Sequence, residues 1–161
     1  MQLQIRVSVD QKRAIARAAR RAGMAMSSYV LERVLGADER RTAELMRHLA
    51  NVAEADSRRF ALAELHDMLA SLSASELRRA VAEPPPAALA PETANYVAAM
   101  VEYACARRGL ENPVWTRAIA PLATPMFASQ LESLRLHLLT RSPPPFRRRN
   151  VFIDTSIGGR V

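Results

Sequence analysis

Hydrophobic and polar residues alternate along the first nine positions of the chain. Apolar side chains at positions 3, 5, 7 and 9 are interleaved with polar ones at positions 2, 4, 6 and 8. This two-residue period is typical of a β-strand with one buried face. Asp10 follows and is a predicted N-cap, so the pattern predicts a strand over residues 2–9 that leads into a helix.

Two short helices are predicted after this strand. Residues 11–22 carry apolar side chains at helical spacing on one face, and Gly23 is suited to a left-handed helix stop. Ser27 is a predicted N-cap of a second helix that ends near Gly36. One strand and two short helices bury too little apolar surface to fold alone. We therefore expect a dimer whose two strands pair as an antiparallel ribbon, a shape that fits the major groove of DNA.

The rest of the chain has the pattern of a helical domain. Apolar stripes predict helices near residues 45–52, 62–72, 75–82, 91–108 and 131–139, and Ser75 is a predicted cap. Proline-rich sequence predicts a linker near residues 83–91, an irregular stretch at 112–125 and a stop to the last helix at 143–145. A further strand signal is confined to about four residues near Val151. The predicted fold class is mainly α, with a module at residues 1–36 and a helical domain at 37–161.

Positive charge is concentrated in the N-terminal module. Residues 1–36 contain seven basic side chains and two acidic ones, whereas the remaining residues contain sixteen arginines and fourteen acidic residues. A short and dense cationic segment is typical of a phosphate-binding surface. The single cysteine, the lack of an apolar run of membrane-spanning length and the lack of a secretion signal favour a cytoplasmic protein with no membrane partner.

The N-terminal residues resemble a known DNA-binding superfamily. The strand Leu3–Asp10, the basic helix after it and the turn Gly23–Val30 are similar to the ribbon-helix-helix superfamily, and most similar to its antitoxins for acetyltransferase-type toxins. The resemblance implies a homodimer that binds operator DNA. It implies base contacts from the outward side of the strand, since glutamine pairs with adenine and arginine with guanine. It also implies that two serines at the second helix bind a phosphate through backbone N–H groups. The DNA-binding residues so implied are Gln2, Gln4, Arg6, Ser8, Lys12, Arg13, Ser27 and Ser28.

The C-terminal segment resembles a second group of bacterial proteins. Its Trp115–Arg117 element, its leucine-rich helix and its ending Phe146–Asp154 are similar to antitoxins that pair with nucleotidyltransferase-like toxins. The resemblance implies that this region binds a toxin. Arginines offer paired donors for carboxylates, and aromatic side chains are frequent anchors of interfaces. The predicted partner-binding residues are Trp115, Phe146, Arg147, Arg148, Arg149 and Phe152, although such a basic tail could also be merely solvated or add nonspecific affinity for DNA.

The sequence offers little enzyme chemistry. It contains no glycine-rich phosphate loop and no Cys-x-x-Cys or His-Glu-x-x-His pair, so we expect no catalytic residues, no metal ligands and no cofactor. Arg41 with His48, and Arg59 with His66, have the Arg-x6-His spacing of HEPN-type ribonucleases. Such pairs are expected about once by chance in a chain so rich in arginine. The residues after the two arginines are Thr42 and Phe60, where that family usually has Asn, Asp or His.

Together these observations predict an antitoxin-type transcriptional repressor that is not an enzyme. It would bind its own operator and neutralise a cognate toxin of the acetyltransferase or nucleotidyltransferase-like type. Two alternatives remain at this point. One is a stand-alone ribbon-helix-helix regulator whose helical domain binds an effector or oligomerises, and the other is a HEPN-type ribonuclease.

Overall fold

The computed structural model describes residues 6–34, 36–129 and 131–154. Of the described residues, 66% are helical, which confirms the mainly α prediction. Contacts divide it after Arg40 into two compact units, residues 1–40 (unit 1) and 41–161 (unit 2). The division falls four residues after the boundary expected from the sequence, inside a helix that begins at Ala37.

Unit 1 contains two helices, α1 (Val9–Arg21) and α2 (Met26–Val34), and the start of α3 (Ala37–Asn51). The α1 N-cap is Ser8, whose Oγ accepts a hydrogen bond from the Gln11 backbone N–H while the Gln11 side chain accepts one from the Ser8 N–H. The prediction that Asp10 caps this helix is therefore wrong. Ser8 displaces Asp10 because a glutamine three positions later completes a capping box.

The predicted stop at Gly23 is confirmed. Gly23 has φ +66°, the left-handed conformation that a residue with a Cβ rarely adopts. The Gly23 N–H donates to the Arg20 carbonyl and the Met24 N–H donates to the Ala19 carbonyl, which closes the last turn of α1. Ala19 is buried between the two helices' apolar sides, and Ile15 and Ala18 are half-buried.

Unit 2 is built from the remainder of α3 and from α4 (Ala55–Ser71), α5 (Ala74–Ala80), α6 (Pro91–Arg107), α7 (Val114–Arg117), α8 (Arg135–Arg141) and α9 (Pro144–Arg148). A 3₁₀ turn (Glu132–Leu134) precedes α8. The centre is α6, in which five consecutive residues from Val97 to Val101 are buried. A helix buried on all sides must be enclosed by its neighbours, and α4, α5 and α9 pack against α6.

Three boundaries in unit 2 differ from the sequence predictions. The cap of α5 is Ser73 rather than Ser75, because Glu76 lies three positions after Ser73 and completes a capping box. The last predicted helix is a 3₁₀ turn followed by α8. The prolines at 143–145 do follow α8, but they also begin α9, since proline is well suited to the first helical position.

A small parallel sheet pairs the segment after the irregular stretch with the segment after α9. Strand β1 (Met126–Phe127) pairs with β2 (Val151–Phe152), with Met126 opposite Val151 and Phe127 opposite Phe152. The sequence predicted strand character near Val151 and none near Met126. In β1 the two residues are too few to show a period, so their pairing depends on the position of β2.

Candidate nucleic-acid interface and buried arginine cluster

The basic side chains of α1 form an exposed stripe. Arg13, Arg17 and Arg20 are spaced by four and three positions, so they lie on one side of the helix, and Arg21 extends that side by one position. Lys12 is exposed on the neighbouring side. Arg13 Nη1 is 3.9 Å from Asp10 Oδ1, but both side chains are mostly exposed, so this pair neutralises little of the charge. The stripe can approach an anionic polymer without first giving up a buried partner.

The predicted ribbon is described only in part. Gln2 and Gln4 lie outside the described residues. Arg6, Val7 and Ser8 are exposed and in no strand, and Val9 is the first residue of α1. A ribbon formed here would therefore end at or before Ser8. The two strands of such a ribbon would come from two chains.

The predicted phosphate site lies in the first turn of α2. Ser27 and Ser28 are both exposed, but they are the second and third residues of the helix. The Tyr29 N–H donates to the Ala25 carbonyl at 2.9 Å, which makes Ala25 the N-cap residue. The prediction that Ser27 caps α2 is therefore wrong by two positions. Both serines remain at the positively polarised end of the helix dipole.

Unit 1 also exposes apolar side chains. Val7, Val9, Met26 and Leu31 are 42%, 67%, 40% and 46% exposed. Scattered exposed apolar residues are ordinary, but four in a unit of this size are a large share of its apolar side chains. The described part of unit 1 thus combines a cationic helix with apolar side chains that remain exposed.

The C-terminal arginines divide into exposed and buried ones. Arg147 and Arg148 are exposed, as expected for a docking surface, whereas Arg149 is 6% exposed. The Arg149 guanidinium forms a bidentate pair with the Glu102 carboxylate and donates to Asn95 Oδ1 at 3.3 Å. It also donates to the backbone carbonyls of Thr116 and Ile119, at 2.6 and 3.2 Å. These five hydrogen bonds equal the five N–H donors of an arginine.

This cluster corrects the prediction that Arg149 binds a partner. All donors of the guanidinium are used within unit 2, and its charge is balanced by Glu102, which is 8% exposed. Arg149 therefore holds α6, α7 and the C-terminal strand together. Sequence reasoning missed Glu102 and Asn95, although a signal was present. Both are polar, they lie seven positions apart on one side of α6, and their neighbours are apolar.

The predicted aromatic anchors are also interior groups. Phe146 is 1% exposed, and its ring packs edge-on against Tyr96 and Tyr103, with centroid distances of 5.5 and 6.2 Å. Phe152 is 9% exposed and stacks on Phe127 at 5.1 Å. The half-buried Trp115 donates its Nε1–H to the Val81 carbonyl at 2.9 Å. These three aromatic residues stabilise unit 2 and are not surface anchors in this structure.

The groups considered for catalysis occupy ordinary surface environments. Arg41 Nη2 lies 3.2 Å from Glu64 Oε1, and Arg59 Nη1 lies 3.6 Å from Asp56 Oδ1. His48 is exposed. His66 Nδ1 is 3.5 Å from Asp67 Oδ1. Among the described residues, no three His, Cys, Asp or Glu side chains lie close enough together to hold a metal ion.

Cys105 is a buried residue of α6. It is 1% exposed and packs in the core of unit 2. Burial raises the pKa of its thiol, with Glu102 adding to the rise and Arg108 opposing it. A protonated, enclosed thiol is a poor nucleophile. Burial likewise raises the pKa of the Tyr96 phenol, which packs beside Phe146.

The class defined by these features is a mainly helical chain with a cationic N-terminal unit and a separate helical unit. Residues 2–81 match the family described as Antitoxin TacA 1-like. The match spans unit 1 and the first helices of unit 2, and it supports an antitoxin of a toxin–antitoxin system with a cognate toxin as partner. No curated protein and no solved structure matches the chain. None of the helices in the described parts of the chain is long and apolar enough to cross a membrane.

Proposed function

We propose that this antitoxin is a homodimeric, cytoplasmic ribbon-helix-helix repressor that binds its own operator and neutralises its toxin, and that it has no catalytic activity. The observation that carries the DNA-binding part is the exposed cationic stripe of α1, directly after a segment with strand alternation. A basic helix beside a ribbon is how such a dimer meets phosphates while the ribbon meets base edges. The family match over residues 2–81 includes both elements.

Dimerisation is supported by the uncovered apolar side chains of unit 1. Val7 and Val9 lie at or beside the end of the alternating segment, and Met26 and Leu31 lie on α2. A second copy would cover such side chains on both chains at once, because a two-fold interface uses the same patch twice. The apolar contact would stabilise the dimer while the polar side of the ribbon stays available to DNA.

The base-reading role of Arg6 gives a direct test. Replacing Arg6 with Ala should weaken binding to the chain's own operator by about 1–3 kcal/mol and should relax sequence preference, since the variant cannot form a bidentate arginine–guanine pair. The measurement is a salt-controlled titration of operator and scrambled DNA. Arg148→Ala is the matched control, because it removes an exposed arginine from unit 2. Unchanged operator affinity for Arg6→Ala would show that the ribbon assignment is wrong.

Toxin binding is proposed for unit 2, with Arg147 and Arg148 as contacts. Both guanidinium groups are exposed and can form paired hydrogen bonds with carboxylates. Co-expression with the neighbouring gene of the native operon tests this assignment. We expect the two products to co-purify and the growth arrest caused by the partner to be relieved. A neighbouring product that arrests growth but neither binds this chain nor is neutralised by it would contradict the toxin-binding role.

The stand-alone regulator is a second candidate, and one observation favours it. Unit 2 contains a cleft between α4 and α6 of about 240 Å³ that could hold an effector. The two functions predict different gene neighbours. The gene of an antitoxin is expected beside a toxin gene, whereas the gene of a stand-alone regulator needs no such neighbour. The ribonuclease alternative is tested with the double variant His48→Ala, His66→Ala. We expect this variant and the unmodified chain to give the same result in an RNA cleavage assay.

A further inference from the structure

The cleft between α4 and α6 is lined by none of the described residues that are proposed above to bind DNA or the toxin. On α4 it is lined by His66, Leu69 and Ala70, which lie three and four positions apart on one side of the helix. The α6 side repeats this spacing. The lining residues there and just beyond the helix end are Met100, Tyr103, Ala104, Arg107 and Arg108.

The floor and the rim of the cleft differ in chemistry. The floor is formed by the apolar side chains of Leu69, Met100 and Ala104, which are 1%, 3% and 7% exposed. The rim carries cationic groups. Arg107 is exposed and its guanidinium lies 5.8 Å from the centre of the Tyr103 ring. None of the described residues that line the cleft is acidic.

Arg108 adds a fixed positive charge at one end of the cleft. Its Nε donates to the Leu72 carbonyl at 2.8 Å, and its terminal nitrogens donate to the carbonyls of Ala70 and Ala104, at 2.7 and 3.3 Å. These bonds hold the guanidinium at the C-terminal end of α4 and use three of its five donors. Two N–H donors remain, so the group can still attract and hydrogen-bond an anion.

We infer that this cleft binds a small organic carboxylate, with the anionic group at Arg107 and Arg108 and an apolar body over Leu69, Met100 and Ala104. The charge of the rim selects an anion, and the buried floor selects a ligand with an apolar body. An aspartate or glutamate side chain has at most two methylene groups and would leave this floor uncovered. The volume of about 240 Å³ is below the range of drug-sized sites, which favours a small acid. This inference does not depend on the proposed DNA-binding or toxin-binding function.

The test uses the full chain and two matched probes. 3-Phenylpropanoate carries a carboxylate on an aromatic body, and 3-phenylpropanamide has the same shape without the charge. We expect saturable binding of the acid in calorimetric titration. In NMR spectra, the changes in backbone amide chemical shift should be confined to α4 and α6. The amide should bind at least about tenfold more weakly, because it lacks the charge-assisted contacts.

Variants separate the rim from the floor. Arg107→Gln should weaken binding of the acid by about tenfold, while Arg141→Gln, a change at an exposed arginine on α8, should leave it unchanged. Ala70→Leu should block the cleft and abolish binding, and Ala70 is exposed, so the larger side chain can be accepted without unfolding. An unchanged unfolding midpoint checks this. The inference is overturned if the acid shows no saturable binding, if acid and amide bind equally, or if Arg141→Gln weakens binding as much as Arg107→Gln.

Discussion

Arg149 is buried in unit 2, where its five N–H groups donate to Glu102, Asn95 and two backbone carbonyls. It stands in a run of three arginines, and nothing in the run distinguishes it from Arg147 and Arg148. The burial of Arg149 depends on α9, because the end of this short helix directs Arg149 into the core while Arg147 and Arg148 remain exposed. Burying an ion pair costs desolvation free energy, which is offset only when the remaining N–H donors also form hydrogen bonds. The cluster around Glu102 meets that condition, because every N–H group of Arg149 donates one.

A substitution at Arg149 should therefore destabilise unit 2. We expect Arg149→Met to lower the free energy of unfolding by about 3–5 kcal/mol, because it leaves the Glu102 carboxylate buried without its counter-ion. Denaturant unfolding followed by circular dichroism measures the effect. Arg148→Met is the control and should change stability by less than about 0.5 kcal/mol, since surface changes are usually small. Equal effects of the two variants would contradict the assignment of Arg149 to the interior.

At the scale of elements, the N-caps of α1 and α5 can be located from the sequence only when the residue three positions after the cap is also considered. A serine followed three positions later by Glu or Gln marks both Ser8 and Ser73, yet Asp10 and Ser75 are equally good caps by residue type alone. The stop at Gly23 was predictable because a left-handed position at a helix end favours glycine, and Gly23 has a positive φ. The second strand, β1, was not predictable, because its hydrogen bonds depend on β2, about 25 residues further along the chain.

The capping box of α5 leads to a prediction about pH. The hydrogen bonds from the Ser73 hydroxyl and backbone lower the pKa of the Glu76 carboxyl, with a smaller contribution from Arg79. Because the pKa of Glu76 is lowered by folding, its ionised carboxylate stabilises the folded chain. This stabilisation is present above the ordinary pKa of the carboxyl and is lost as the pH falls through the pKa of Glu76 in the folded chain.

Ser73→Ala should accordingly destabilise the chain by about 1 kcal/mol at neutral pH, and the difference should shrink in acid. Thermal unfolding at a series of pH values measures it. Ser75→Ala is the control, because it removes the 3.3 Å contact between the Ser75 and Ser73 hydroxyl groups but leaves the hydrogen bond from the Glu76 N–H to Ser73 Oγ in place. If the two variants were equally destabilised at every pH, the capping box would not be the source of the effect.

At the scale of the whole molecule, the excess positive charge lies in the N-terminal residues 1–36, whereas the main hydrophobic core lies in unit 2. The excess positive charge was readable from the sequence because it depends on residue counts alone, and the structure adds that the α1 side chains are exposed. The roles of Trp115, Phe146 and Phe152 were not readable in the same way. An aromatic residue in a short, proline-interrupted segment can be core or anchor, and the difference depends on long-range packing against α6 and β1.

The distribution of charge predicts which basic residues set the salt dependence of DNA binding. Lys12→Ala should weaken binding to all DNA sequences about equally and lower the slope of log K against log salt by about 0.9 for each phosphate that the variant no longer neutralises. The double variant Arg147→Gln, Arg148→Gln should leave the slope unchanged, because unit 2 is proposed to bind protein. Titrations at several salt concentrations compare them. A fall in slope for the double variant would instead assign the C-terminal arginines to DNA.

The cluster that joins Glu102 to Arg149 has a consequence for how the chain is made. The carboxylate leaves the ribosome 47 residues before its counter-ion, and Phe146 and β2, which complete the same core, are synthesised equally late. Until then α6 has neither its charge partner nor its aromatic cover, so unit 2 cannot close during translation of its first helices. A nascent chain interrupted before Arg149 would keep an open core and be an easy substrate for cellular proteases. Unit 2 can therefore close around α6 only after residues 146–152 have been synthesised.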